Sequence, residues 1–234
     1  MSSPPAMQLR GVTLRLGGRP LVEPLDVTIP PGEVVTLMGE SGAGKSSLLA
    51  YLCGTLPLAF TGSGEVWVGN DEISTWPPQL RRLGILFQDD LLFPHLSVGQ
   101  NLAFALPLQI RSRSDRKARI EKALAEAELP GFGDRDPATL SGGQRARVSV
   151  MRVLLSEPRA LLLDEPFSKL DAATRRRFRE FVFTHLRQAR LPALMVSHDP
   201  EDAAAAGGAV IQLGHAEKNR EWTPTNANFR EESP

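Results

Sequence analysis

The amino-acid sequence predicts an α/β fold whose central sheet is mostly parallel. Three short apolar runs, at residues 34–38, 160–163 and 193–196, are continuous rather than alternating. Continuous apolar runs of this length are typical of strands that are buried on both faces of a parallel sheet. Segments with helical character separate the runs, and strands that alternate with helices define the α/β class. The composition, 41% hydrophobic and 23% charged over 234 residues, is that of a folded globular chain.

A smaller antiparallel sheet is predicted at the N-terminal end. Residues 7–29 alternate apolar and polar side chains with a period of two, which indicates two half-buried strands. Residues 64–73 have the pattern of a further hairpin, with Gly69 and Asn70 as its turn. The N-terminal part of the chain is therefore expected to contribute an antiparallel β subdomain.

A helical insertion is predicted between two parts of the parallel sheet. After a short strand at 83–87, the segment from about 89 to 140 is punctuated by prolines and contains a helix at 114–128. A second helix, at 144–156, follows the insertion. The inward faces of these two helices consist of Ile120, Leu124 and Ala127, and of Val148, Met151 and Leu155.

One domain is expected over residues 7–213, followed by a polar tail at 214–234 that lacks apolar periodicity. Lys and Arg together number 27, as do Asp and Glu, so the balanced charge predicts no bulk attraction to nucleic acid or to anionic lipid. The sequence contains no run of about 18 apolar residues, so no membrane span is expected. Residues 1–8 lack the pattern of a secretory signal, which predicts a cytoplasmic product. The single cysteine, Cys53, excludes an internal disulfide and is expected in the core.

A phosphate-binding loop (P-loop) is the strongest motif in the sequence. Residues 39–46 fit the pattern G-x-x-x-x-G-K-[ST], and they lie between a predicted strand and a predicted helix at 46–52, as that pattern requires. The glycines let successive backbone N–H groups face phosphate oxygens, and the helix N-terminus adds partial positive charge. Lys45 is expected to bridge the β- and γ-phosphates, and the Ser46 hydroxyl is expected to bind Mg²⁺. The predicted nucleotide-binding residues are Gly39, Glu40, Ser41, Gly42, Ala43, Gly44, Lys45, Ser46 and Ser47.

Two acidic residues follow the apolar strand at 160–163. A carboxylate at the end of a strand beside the P-loop strand can reach the metal through its water shell, and Asp164 fits this role. Glu165 is expected to orient and deprotonate the water that attacks the γ-phosphorus. A GTPase is not expected, because the base-recognition pattern N-K-x-D is absent from the sequence.

Further motifs resemble those of the ATP-binding cassette (ABC) ATPases. The pentapeptide LSGGQ at 140–144 starts 20 residues before the strand that ends in the acidic pair. Gln88 resembles the Q-loop glutamine, Asp171 the D-loop aspartate and His198 the switch histidine, in the order that the family shows. The resemblance covers about residues 8–213.

The resemblance implies an ATPase that works as a head-to-tail homodimer, with ATP and Mg²⁺ as cofactors. The signature pentapeptide of one copy would close on the γ-phosphate that is bound by the other copy, so two MgATP molecules would hold the dimer together. Hydrolysis would then open the dimer. The implied site residues are Glu165 and His198 for catalysis; Ser46, Gln88 and Asp164 for the metal; Ser141, Gly142, Gly143 and Gln144 for the partner's ATP; and Asp171 in the D-loop.

The resemblance also implies partners. The run 92–101 is similar to bacterial importer-type subunits, and the chain resembles the ATPase of a poorly characterised three-part uptake system. Separate transmembrane permease subunits and a solute-binding protein are therefore expected, with the ATPase peripheral on the cytoplasmic side of the inner membrane. Residues 91–93 are the candidate docking segment, with insertion core as the alternative. The alternative function is a soluble ABC ATPase that acts as a switch on protein or nucleic acid.

Several features depart from the family pattern or lie outside its motifs. Leu16 stands where the family commonly has an aromatic residue that stacks on adenine, and it offers only apolar contact. A regulatory domain is not expected, because the chain ends soon after Leu213. The basic clusters at 111–122 and 175–177 are expected to be solvated helix faces rather than sites for lipid or nucleic acid.

Overall fold

A computed structural model describes residues 5–214 and confirms the predicted fold class, with one antiparallel sheet, one parallel sheet and flanking helices. Residues 215–234, nearly the whole of the predicted polar tail, lie outside the described residues. The strands are β1 (Met7–Leu16), β2 (Arg19–Ile29), β3 (Val34–Gly39), β4 (Phe60–Val68), β5 (Asp71–Glu72), β6 (Leu83–Leu86), β7 (Ala160–Asp164), β8 (Ala193–Val196) and β9 (Val210–Leu213). The helices are α1 (Lys45–Cys53), α2 (Pro78–Arg81), α3 (Val98–Ala105), α4 (Arg113–Glu126), α5 (Gly142–Leu155), α6 (Ala172–Ala189) and α7 (Pro200–Ala206).

The antiparallel sheet has the strand order β2-β1-β4-β5. Met7 and Leu9 lie on the buried face of β1, and an irregularity in strand pairing between Leu9 and Val12 returns Leu14 to the same face, so that each of the three is at most 1% exposed. At the end of β1, Leu16 pairs with Phe60, the first residue of β4. Directly opposed residues of antiparallel strands project from the same face of a sheet, so Leu16 and Phe60 lie side by side.

The parallel sheet has the strand order β6-β7-β8-β3-β9, and every neighbouring pair in it is parallel. The apolar residues of β7 and β8 are all buried, as their continuous apolar runs predict. Gly39 ends β3, Asp164 ends β7 and Ser197 follows β8. The P-loop, the acidic pair and His198 therefore emerge at the same edge of the sheet.

Helices form two further apolar clusters. One joins α3, α4 and α5 through residues that include Val98, Leu124 and Val148, whereas Leu155, predicted to point inward, is only half-buried. The other packs α6 against the parallel sheet around Phe167. The sequence analysis did not identify α6 as a long helix, nor did it predict α7 and β9.

The basic run in α6 departs in part from its expected solvated face. Arg176 and Arg177 are exposed, as expected. Arg175 is half-buried and forms an ion pair of 3.2 Å with Asp199. The expectation was wrong for Arg175 because its acidic partner is 24 residues away in the sequence.

A buried guanidinium fixes the end of α1. Arg81 is 5% exposed and donates hydrogen bonds to the carbonyls of Tyr51 (2.8 Å) and Leu52 (2.6 Å), in the last turn of that helix. It also donates to the carbonyls of Trp76 and Ser74. A cation at a helix C-terminus satisfies carbonyls that lack helical partners and complements the helix dipole. Arg81 thereby anchors the helix whose other end carries Lys45.

Cys53 lies in the last turn of α1 and is buried, as the sequence predicts. Burial raises the pKa of its thiol to about 11, although the nearby Arg81 opposes this shift. A thiol with so high a pKa is almost entirely protonated at neutral pH, so Cys53 acts as a small apolar core residue.

Candidate functional site

The P-loop lies between β3 and α1, and its glycines are required by the backbone and by close neighbours. Gly44 is the N-cap of α1 with φ 86°, a left-handed conformation that favours glycine. A Cβ on Gly44 would lie 2.9 Å from side-chain carbons of both Leu21 and Val22. A Cβ on Gly39 would lie 2.4 Å from the carbonyl oxygen of Leu213. The two ends of the loop therefore pack closely against β2 and β9, which fixes the positions of its backbone N–H groups.

Lys45 is directed into the loop that it follows. The side chain is 9% exposed, and Nζ donates hydrogen bonds to the carbonyls of Gly39 (2.6 Å) and Glu40 (2.8 Å). Because these acceptors are neutral and anionic phosphate oxygens accept stronger hydrogen bonds, a phosphate chain in the loop would compete well for this ammonium. The cradle fits a polyphosphate.

A cleft of about 650 Å³ adjoins the loop. Eight of the nine predicted nucleotide-binding residues line it, and the ninth, Ala43, is buried beneath the loop. Glu165 and His198, the predicted catalytic residues, line the same cleft. Residues that are 158 positions apart in the sequence, such as Glu40 and His198, are thus brought to one place.

Of the acidic pair, Glu165 lines this cleft, whereas Asp164, the last residue of β7, does not. Burial and the neighbouring Glu165 raise the pKa of Asp164, while the charge of Lys45 works in the opposite direction. The backbone N–H of Glu165 donates to the carbonyl of Val196 at 3.0 Å, which fixes the acid beside the end of β8. His198 Nδ1 lies 3.2 Å from Glu165 Oε1, so the two predicted catalytic side chains are in contact.

The oxygen donors at this point suit Mg²⁺. Ser46 lines the cleft, and Asp164 is close enough to Lys45 that the charge of the ammonium group acts to lower the pKa of Asp164. Within residues 5–214, no group of three or more His, Cys, Asp or Glu side chains could hold a metal ion without other ligands. Mg²⁺ usually binds few protein groups and completes its octahedron with waters and phosphate oxygens, so a hydroxyl and a carboxylate fit the ion.

An ion cluster fixes the segment that carries His198. Arg179 of α6, 7% exposed, donates from Nε to Asp202 Oδ1 (2.5 Å) and from Nη2 to Asp199 Oδ2 (2.8 Å). Ser197 Oγ donates to the other oxygen of Asp202 at 2.5 Å. Burial works against ionisation of Asp199, but the N–H of Glu201 and the guanidinium of Arg179 together hold its pKa below the ordinary value. Sequence analysis did not find this cluster.

Replacement of Arg179 with Met is expected to lower the free energy of unfolding by about 3–5 kcal/mol, because the buried carboxyl group of Asp202 would lose its guanidinium partner. Arg176→Met is the matched control, since Arg176 is an exposed arginine of the same helix. Its effect should be within about 0.5 kcal/mol. Urea unfolding followed by circular dichroism measures both variants. Equal stability of the two would contradict a structural role for the cluster.

The signature pentapeptide begins α5, as the sequence analysis expects. Ser141 is the N-cap, and its hydroxyl accepts from the N–H of Gln144, whose side chain accepts in turn from the N–H of Ser141 at 2.9 Å. A Cβ on Gly143 would lie 2.8 Å from Cγ2 of Thr174, so a larger residue there would require the Thr174 side chain to move. A second cleft, of about 660 Å³, is lined by Ser141, Gly142, Gly143, Gln144 and Asp171.

Gln88 is not brought to the P-loop cleft. It is exposed and lines a third cleft together with Gly142 and Lys169. The chain after Gln88 is attached to α5, because Asp90 forms a 2.9 Å ion pair with Arg145 and Arg152 donates to the carbonyl of Leu91 at 2.8 Å. Gln88 is thus placed beside the signature helix rather than beside Ser46.

The family model of ABC transporters matches residues 22–168. That range includes the P-loop, the signature pentapeptide and the acidic pair. The chain belongs to the ABC transporter family. ABC transporter ATP-binding proteins are ATPases, and the predictions of family and of ATPase activity are thereby confirmed.

Known ABC transporter proteins resemble nearly the full length of the chain. It is 47% identical over 211 residues to an uncharacterized ABC transporter ATP-binding protein, YnjD, of Escherichia coli strain K12, which covers 90% of this chain and 96% of that protein. It is 37% identical over 217 residues to the Fe(3+) ions import ATP-binding protein FbpC of Escherichia coli O157:H7, and 36% identical over 222 residues to the sulfate/thiosulfate import ATP-binding protein CysA of Gloeobacter violaceus. These matches cover 92% and 95% of this chain, but only 62% and 64% of the import proteins.

An aromatic residue that the ABC transporter resemblance did not indicate also lines the P-loop cleft. Leu16, expected from the sequence to stand where the family commonly has an aromatic residue, lines this cleft and is 45% exposed. Phe60 and Leu21 line the cleft beside it. Phe60 follows α1 in a segment without a motif, so the sequence carries no local signal of its role. Only the pairing of β1 with β4 places it next to Leu16.

Proposed function

We propose that this chain is the energy-coupling ATPase subunit of a bacterial ABC importer. Two copies would close head to tail on two MgATP molecules and drive transport by separate permease subunits, with a solute-binding protein supplying the cargo. The ATPase would lie peripherally on the cytoplasmic side of the inner membrane. None of the helices among residues 5–214 is long and apolar enough to span a bilayer.

The separation of two half-sites carries the proposal of a dimer. The P-loop, Glu165 and His198 line one cleft, whereas the signature residues and Asp171 line another. The helix N-terminus behind Ser141 suits an anion, but the phosphates that this chain cradles would lie in the first cleft. A second copy, rotated to place its signature over the first cleft, would complete both sites at once.

The residues then take the following roles. The P-loop and Lys45 hold the phosphates, and Ser46 and Asp164 hold Mg²⁺. Glu165 accepts a proton from water as the water oxygen bonds to the γ-phosphorus and the bond to the bridging oxygen of ADP breaks. His198, in contact with Glu165 at 3.2 Å, orients the water and the γ-phosphate. Gln88, which lies beside the signature helix in the single chain, would reach the metal only when the two copies close.

The docking segment, residues 91–93, supports the permease assignment. Leu91 is 53% exposed, an apolar side chain that faces solvent in this chain. Leu92 and Phe93 are half-buried: Leu92 packs against the cluster of α3, α4 and α5, and the Phe93 ring lies 4.9 Å from that of Phe104 in α3. The alternative, insertion core, therefore describes Leu92 and Phe93 better than Leu91. Burial of the Leu91 side chain against an apolar partner surface would be favourable, because it removes apolar area from water.

Co-expression with the permease that is encoded beside its gene tests the function. Tagged wild-type ATPase should retain this permease when it is purified from detergent-solubilised membranes. Leu91→Asp should reduce the retained permease by about tenfold or more, because the contact would bury a carboxylate. Leu58→Asp, at a fully exposed leucine outside the segment, is the matched control. A wild-type protein that purifies with a soluble protein or nucleic acid and no permease would instead support the alternative function, a soluble ABC ATPase that acts as a switch.

A further inference from the structure

The P-loop cleft has one polar end and one apolar end. Gly42, Lys45 and Ser46 form the polar end, where phosphates fit. Leu16, Leu21 and Phe60 form the apolar end. A Cβ on Gly44 would lie 2.9 Å from Leu21, so the apolar end directly adjoins the phosphate loop. A ligand with a charged chain and a planar apolar part matches this arrangement.

Phe60 is the aromatic member of the apolar end. In the register of β1 and β4 it lies directly opposite Leu16, on the same face of the sheet. It is only half-buried, so part of its surface is accessible to a ligand. Phenylalanine offers a π-face, on which a nucleotide base can stack, whereas Leu16 and Leu21 offer only aliphatic contact.

The backbone that carries Phe60 is held in place before any ligand binds. Its N–H donates to the carbonyl of Pro57 at 2.9 Å. Two residues later, Gly62 packs against the ring of Tyr51 of α1, where a Cβ would lie 2.4 Å from a ring carbon. The Tyr51 hydroxyl donates to the carbonyl of Gly64 at 2.7 Å. A rigidly attached aromatic binds with a smaller loss of conformational entropy.

We propose that Phe60 supplies the aromatic face on which the adenine base stacks, in place of the residue at position 16. This inference rests on the proposed binding of MgATP at residues 39–47. Leu16 and Leu21 would pack against the edge of the base, and stacking on a phenyl ring would favour bases with large π-faces without reading their hydrogen-bonding groups. Purine nucleotides would therefore bind with little discrimination between adenine and guanine.

Isothermal titration with MgADP and with magnesium pyrophosphate tests the proposal. MgADP carries the base but no γ-phosphate, and magnesium pyrophosphate occupies only the phosphate cradle. Phe60→Leu should raise the dissociation constant of MgADP about 5- to 100-fold, while that of magnesium pyrophosphate changes less than about twofold. Phe60→Tyr keeps the aromatic face and should retain wild-type affinity for MgADP. The double variant Phe60→Leu with Leu16→Tyr should regain most of the lost affinity.

Each contrary result has a definite meaning. If Phe60→Leu binds MgADP as tightly as the wild type does, the base does not stack on Phe60. Equal weakening of both ligands would show that Phe60 only supports the cradle, and this too would overturn the proposal. Failure of the wild type to bind magnesium pyrophosphate at all would instead count against the phosphate cradle, and so against the proposed nucleotide site itself.

Discussion

Replacement of Glu165 with Gln is expected to reduce ATP turnover by about 100- to 10,000-fold, the range that a general base contributes. The amide has nearly the shape of the carboxylate, so contacts of the side chain with water and with His198 can persist, but it cannot accept the proton. ATP should therefore bind and remain intact. Release of inorganic phosphate measures turnover, and retention of radiolabelled ATP on the purified protein measures binding.

The same variant should reveal the dimer. In the presence of MgATP it should shift from monomer to dimer on a sizing column, whereas MgADP should cause no shift, because only the γ-phosphate offers an anion to the partner's signature. Ser141→Arg in this background should abolish the shift, since a bulky cation would oppose the helix dipole. Ser97→Arg is the matched control. Ser97 caps α3 in a capping box of the same type, with Gln100, but does not line the signature cleft.

Two outcomes bear on the shared site. A shift that survives Ser141→Arg would show that the copies associate through another surface. A Glu165→Gln protein that stays monomeric in saturating MgATP should be tested again in complex with the permease, and absence of trapped ATP there would reject the shared-site mechanism.

Lys45→Ala should lower ATP turnover by about 100- to 1,000-fold, the usual loss when one preorganised charged donor is removed from a transferring phosphoryl group. The ammonium is the principal cation of the P-loop, and the carbonyls of Gly39 and Glu40 lose their donor as well. Lys117→Ala, at an exposed lysine of α4, is the matched control and should keep wild-type turnover. Phosphate release at saturating ATP is the measurement. Near-normal turnover by Lys45→Ala would rule out the P-loop as the site of hydrolysis.

The fold was predictable where a short segment carries its own signal. Continuous apolar runs identified β3, β7 and β8, and period-two alternation, interrupted by shifts in the pairing register, identified β1 and β2. Of α6, only the basic run 175–177 was expected to be helical, and the length of the helix was not predicted, although Phe178, Val182 and Leu186 form a buried stripe at helical spacing. Strand β9 is as short as β8, but Gln212 interrupts its apolar run, so it lacks the continuous apolar pattern that identified β8.

In the candidate site too, residues in local sequence motifs were predictable, and residues whose contacts are distant in the sequence were not. The P-loop and the acidic pair are local patterns, so their residues were named from the sequence. The contacts of Arg179 span 20 to 23 residues, and Phe60 reaches the cleft only through strand pairing, so nothing in the local sequence of either residue indicated its partners. A buried arginine such as Arg81 is also unexpected from composition, because arginine is normally exposed.

Helix α5 connects the docking segment to the signature. Arg145 and Arg152 of α5 bind residues 90 and 91, and Ser141 is the N-cap of the same helix. Eleven residues of helix span about 16 Å, with no hinge glycine between Ser141 and Arg152 beyond the first turn. A displacement of Leu91 by a bound partner would therefore tilt α5 as a rigid body and move Ser141 with it. In the proposed importer, docking of the permease at Leu91 and closure of Ser141 on the partner's nucleotide would then act through the same helix.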